Sequence, residues 1–107
     1  MDQLVFYVPE AYLEQVKEAV FAAGGGMYKD YDMCAWPSLG RGQFRPLAGA
    51  NPFIGSVGTL EYEAEYKVEL VLAEDRTRQV VEALLQAHPY EEVAYSLIRV
   101  HTLEDLP

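Results

Sequence analysis

Apolar and polar positions along this chain follow two periods, one of two residues and one of three to four. Leu4, Phe6 and Val8 share one face of an extended run and Val5 and Tyr7 the other, which predicts a strand buried on both sides. Pro9 suits a first helical turn, Glu10 complements the helix dipole, and Leu13, Val16, Val20 and Ala23 recur at helical spacing until Gly24-Gly25-Gly26 ends the pattern. From Tyr28 to Leu39, Tyr31, Met33 and Ala35 alternate with Cys34 and Trp36, which predicts a second strand weakened at its end by Pro37. The clearest alternation sets Leu60, Tyr62, Ala64, Tyr66, Val68, Leu70 and Leu72 against Glu61, Glu63, Glu65, Lys67 and Glu69, a strand with one wet face. At about 3.3 Å per residue the run from Leu60 to Leu72 extends about 43 Å, so part of it is expected to reach beyond its own subunit. Glu74 and Asp75 then open a second helix with an apolar stripe of Thr77, Val80, Val81, Leu84 and Leu85, ending at His88-Pro89. Ala94 to His101 alternates as a fourth strand, with Tyr95 and Leu97 opposite Ser96, Ile98 and Val100.

The order strand, helix, strand, strand, helix, strand predicts an α+β, ferredoxin-like (βαββαβ) domain: a four-stranded antiparallel sheet with both helices on one face. We expect a single domain over residues 1–107, with a loop at 40–58 between strands 2 and 3 and a polar tail at 102–107. A strand apolar on both sides cannot leave its second face in water, so that face is expected to be covered by another copy of the chain.

The segment from Gly40 to Gly55 concentrates the candidate chemistry. Its glycines and prolines fix the backbone, Phe44 and Phe53 offer apolar anchors, and Arg41 and Arg45 offer cationic forks. A shaped loop of this kind is expected to recognise a ligand or a neighbouring subunit. It has neither a P-loop lysine nor the dinucleotide-binding glycine spacing.

Bulk properties narrow the partners. The 107 residues carry a net charge of −9 with 50% hydrophobic and 23% charged residues, a globular composition without the clustered lysine and arginine that nucleic acid or an anionic membrane would need. The single cysteine excludes an internal disulfide, and neither a signal peptide nor a membrane-spanning run is expected, which points to a cytoplasmic protein.

Several spaced motifs carry a family resemblance: Leu4 to Glu10, Tyr31 to Trp36, Gly42-Gln43-Phe44-Arg45-Pro46, Asn51-Pro52-Phe53-Ile54-Gly55 and His88-Pro89-Tyr90-Glu91-Glu92. From about Leu4 to Val100 the chain resembles the domain inserted within bacterial NIF-three-like (YqfO-type) proteins. The resemblance implies a PII-like or CutA-like ferredoxin fold, a homo-oligomer, expected to be a trimer with strands extending between subunits, and small anionic ligands held in clefts between subunits. Larger members of the family, labelled as GTP cyclohydrolase homologues, hold two metal ions in flanking domains. With only His88 and His101 and no His-x-x-x-His or Cys-x-x-Cys spacing, this sequence offers no position for that dinuclear site.

Candidate ligand-binding residues are Arg41, Gln43, Phe44, Arg45 and Asn51 from the loop and His88, Tyr90 and Glu91 from the turn after the second helix; no catalytic residue, metal ligand or cofactor site is assigned. Arg41, Gln43, Arg45 and Asn51 suit a phosphate or carboxylate, or else pack a subunit interface. His88 is either a structural histidine at a helix end or a base beside Tyr90, Glu91 and Glu92. Cys34 is read as a small buried hydrophobe, with a soft-metal site shared between subunits as the alternative. The glutamates of the long strand form a solvated face or meet Arg41 and Arg45 of a neighbour. The reading is therefore an oligomeric binding or regulatory module, against a protein-interaction domain working with a partner or a hydrolase-type enzyme.

Overall fold

A computed structural model describes all residues 1–107. Strand β1 (Asp2–Pro9) leads through a 3-10 turn into helix α1 (Leu13–Ala22); β2 (Trp36–Phe44) and β3 (Glu61–Leu72) follow, then a second 3-10 turn, helix α2 (Thr77–Ala87) and β4 (Tyr95–Arg99). The sheet order is β2-β3-β1-β4 and every neighbouring pair is antiparallel. This is the α+β, ferredoxin-like arrangement that the order of elements predicts. Both helices cover one face: Leu4, Phe6 and Val8 of β1 and Val68, Leu70 and Leu72 of β3 form one core cluster with Val16, Val20, Val80 and Leu84 of the helices. Phe6, Leu4 and Leu72 are the largest fully buried side chains, and truncating a buried phenylalanine of this kind costs about 3–5 kcal/mol.

The opposite face has no helix. Val5 is 5% exposed there, but Tyr7, Trp36 and Ile98 are 38, 70 and 47% exposed, so β1 is buried on its helix side and only in part on the other.

Strand β2 is displaced from its expected place. Between Tyr28 and Ala35 the chain turns on itself: Tyr28 and Tyr31 exchange backbone hydrogen bonds of 2.8 and 3.0 Å, Cys34 N–H donates to the Gly26 carbonyl at 2.8 Å, and Lys29 and Met33 adopt positive φ of 53° and 54°. Local turn bonding around Asp30 and Asp32 overrides the β-forming side chains there. The strand starts at Trp36 and runs through Gly40 and Gly42 to Phe44, so the loop between β2 and β3 starts after Phe44 and not at Gly40. The two glycines do not break it, because β3 supplies a partner for every residue, Gly40 opposite Glu65 and Gly42 opposite Glu63.

Within the chain, β3 runs past the end of β1. Pro9 of β1 pairs with Glu65, whereas Glu61 to Ala64 pair only with β2, so the β2–β3 hairpin projects as an arm and the molecule measures 50 × 28 × 24 Å. Along that arm Tyr62 stays 48% exposed, with the Arg41 guanidinium 4.1 Å from its ring centroid.

Candidate functional site

Alongside the arm, from its root at Glu65 to Phe44 at the end of β2, a cleft of about 380 Å³ opens against the loop after β2 and the turn between α2 and β4. Phe44 closes β2 opposite Glu61, and the chain after it folds back until Phe53 meets Tyr12 edge-on at 5.7 Å between centroids. Tyr90 projects from the third side, 6.1 Å from the Phe44 ring and 6.4 Å from Phe53. Three aromatic rings therefore wall the cleft.

Tyr90 is fixed from two directions. Its hydroxyl donates to Glu65 Oε2 at 3.1 Å, and its ring lies edge-on to His88 at 4.9 Å. His88, 5% exposed, stands beneath it: Tyr90 N–H donates to Nδ1 at 3.1 Å, which leaves the proton on Nε2 to be donated to the Tyr7 carbonyl at 2.7 Å. Both ring nitrogens are engaged in the neutral tautomer, so His88 is a structural anchor and has no free nitrogen to act as a base. Burial lowers its pKa below the ordinary histidine value, with the Tyr7 hydrogen bond opposing. Burial pushes the Glu65 carboxyl above the ordinary carboxylate range, against the Tyr90 hydrogen bond and with the Glu63 charge adding to it. The Tyr90 phenol is pushed well above its usual value, first by burial and then by the Glu65 charge, so it stays a hydrogen-bond donor at neutral pH.

Glu65 reaches this position because Gly42 has no side chain. A Cβ at Gly42 would sit 2.0 Å from Glu65 Oε1, and one at Gly55 would sit 2.5 Å from Glu61 Cγ. The glutamates Glu61, Glu63, Glu65 and Glu69 are each half-buried rather than forming a fully wet face.

Of the residues singled out from the sequence, Gln43, Phe44, Arg45, Tyr90 and Glu91 line the cleft. Asn51 borders it, its N–H donating to Glu91 Oε2 at 3.0 Å. His88 lies beneath as an anchor, and Arg41 points along the arm to Tyr62 and does not line the cleft. Tyr7, Glu65 and Phe53 line it without having been singled out as ligand-binding. Their signals were present, a glycine at Gly42 and a lone Tyr7 on an apolar strand, but only the β1–β3–β2 register brings them together. Cys34 Sγ sits 3.6 Å from the Asp32 carbonyl, and no group of three or more His, Cys, Asp or Glu side chains is arranged to hold a metal within the chain.

The fold places the chain in a known structural class. CutA1 from Pyrococcus horikoshii superposes with a TM-score of 0.69 over 98% of this chain and 88% of its own at 20% identity, which defines a CutA/PII-like, ferredoxin-like fold. Within that class the particular relatives are the NIF3-related proteins. The chain is 45% identical over 100 residues to the GTP cyclohydrolase 1 type 2 homolog of Bacillus subtilis (strain 168), and it matches the crystal structure of a Bacillus cereus protein related to NIF3 with a TM-score of 0.82 at 34% identity over 94% of its length. The chain spans 27 and 26% of those two proteins, so it is a homologue of one segment of them. No family model matches it.

Proposed function

We propose that this chain is a binding or regulatory module that assembles with copies of itself, as a trimer, and holds a small ligand in the cleft between Phe44, Phe53 and Tyr90. The observation that carries the reading is the cleft itself, of about 380 Å³ and mostly apolar lining, a size and character usual for small-molecule sites. Assembly is supported by the helix-free sheet face with its exposed Trp36, Tyr7 and Ile98, by the open edge of β2, and by the arm that extends past β1. An oligomer would bring a second copy close to the arm and hence to the cleft.

The anionic ligand expected from Arg41, Gln43, Arg45 and Asn51 has less support than the cleft: Arg41 lies elsewhere and the Asn51 N–H is taken by Glu91. An anion would rest chiefly on the Arg45 guanidinium and the Gln43 amide, with any further donors coming from a neighbouring copy, and a metal would need ligands from more than one chain. The homology to one segment of NIF3-related proteins supports a second reading, a domain whose cleft and arm serve a partner that carries a separate activity.

Native mass spectrometry of freshly purified protein tests the first reading. A trimer carrying a retained small molecule is the expected result; a monomer with no adduct at micromolar concentration overturns it. Recovery of a stoichiometric protein partner on a tagged chain supports the second.

A further inference from the structure

Resting on the reading of the cleft as a ligand site, we propose that its ligand is a small organic cation with an aromatic or apolar body, of the arylalkylamine kind. The walls and the charges of the cleft agree on this. Phe44, Phe53 and Tyr90 pack as a cluster, with the Tyr90 centroid 6.1 Å from Phe44 and 6.4 Å from Phe53, and all three line the cleft, a surface suited to an apolar body and to a cation that reaches a ring face. The carboxylates of Glu65, Glu91 and Glu92 line the same space, against the single guanidinium of Arg45.

Several backbone donors around the cleft are already engaged, which leaves an anion chiefly the Arg45 guanidinium and the Gln43 side-chain amide. Asn51 N–H donates to Glu91, Tyr90 N–H donates to His88, Ala50 N–H donates to the Leu47 carbonyl at 3.0 Å and Gly58 N–H to the Pro46 carbonyl at 2.8 Å. Acceptors, by contrast, remain: each carboxylate has lone pairs beyond the one bond that Glu65 and Glu91 make. An ammonium group entering beside Glu65 and Glu91 would gain charge-assisted hydrogen bonds, and an anion there would face like charges in a partly desolvated site. The net charge of −9 adds a long-range bias of the same sign.

The experiment compares two probes of one shape and opposite charge, tryptamine and indole-3-propionate, titrated into the wild-type protein at low salt and followed by amide chemical shifts. Tryptamine is expected to shift the amides of Phe44, Phe53, Glu65 and Glu91 and to bind at least tenfold more tightly than the acid. Glu65→Gln and Glu91→Gln should each weaken tryptamine severalfold while leaving the acid unchanged or stronger. Equal or tighter binding of the acid at the same amides overturns the cation and leaves the cleft a ligand site. Shifts from neither probe at millimolar concentration overturn the cation and also count against the cleft as a ligand site.

Discussion

The Tyr90 hydroxyl and Glu65 Oε2, 3.1 Å apart, join the turn after α2 to the root of the β2–β3 arm. Gly42 leaves the space that Glu65 occupies, so this one hydrogen bond can be broken from either side. Tyr90→Phe removes the donor and should cost about 1 kcal/mol in urea unfolding at pH 7. Gly42→Ala should displace the flexible carboxylate without unfolding the sheet, and should lose about as much. Because both changes remove the same bond, the double variant should be destabilised by clearly less than the sum of the single effects. Additive losses would show that the bond is not what the two residues share.

His88 should make stability depend on pH near neutrality. Its folded pKa lies below 6.5, so the unfolded chain binds more protons in the window beneath 6.5, and stability is fully present above that value and is lost as pH falls. Wild type should therefore lose more thermal stability than His88→Gln between pH 7.5 and pH 5. Glu65 acts oppositely: its folded pKa lies above 4.5, so its contribution is present below 4.5 and is lost as pH rises through the folded value. Glu65→Gln should remove that second slope and leave the first. Melting temperatures of the three proteins from pH 4 to 8 check both signs.

Asp2 ties the start of the chain to α2 and β4. It is 7% exposed, accepts from the Thr77 hydroxyl at 2.7 Å and from Arg99 Nε at 2.7 Å, and these two bonds in that order hold its carboxyl below the ordinary range. Asp2→Asn should cost about 1–2 kcal/mol at pH 7, chiefly through the bond to Thr77, since Arg99 is exposed and an exposed ion pair contributes little. The folded pKa is depressed, so this difference is present above pH 3.8 and shrinks as pH falls below it. Urea midpoints of the two proteins at pH 7 and pH 2.5 should converge at the lower value.

Gly26 is where the turn before β2 cannot accept a side chain. Its φ is +76°, and a Cβ would lie 2.8 Å from the Cys34 carbonyl oxygen and 2.9 Å from the Phe21 ring. The near atoms are backbone and a packed ring, so the clash cannot be relieved by a flexible side chain. Gly26→Ala should cost upwards of about 3 kcal/mol, combining left-handed strain with the displaced turn. Gly49, with φ of +99° and nothing within 4 Å of a Cβ, should lose only the strain when changed to alanine. Comparing the two variants by chemical denaturation separates the two contributions.

The alternation in β3 and the stripe in α2 were legible because each buries one face, and a single buried face leaves a periodic trace in the sequence. Strand β2 left no such trace: its residues Gly40, Arg41, Gly42 and Gln43 follow no apolar period, and its pairing is supplied by β3. The residues that would have marked a strand earlier, Tyr31 and Met33, lie in a turn held by backbone bonds to Gly26 and Tyr28. For the cleft, sequence proximity revealed the loop and the turn after α2. It could not reveal Glu65, which depends on the absence of a side chain at Gly42 on another strand. Arg41 illustrates the opposite failure: next to cleft residues in sequence, it faces the other side of the sheet and stacks on Tyr62.

The arm gives the cleft a mechanical property. Glu65 stands at its root, where pairing with β1 ends, and Phe44 stands at its tip, yet both contact Tyr90, which belongs to the body of the domain. The separation of Phe44 from Tyr90 therefore depends on the angle of the hairpin about that root, whereas the position of Glu65 depends on it little. The width of the cleft is thus set by the angle at which the arm leaves the sheet.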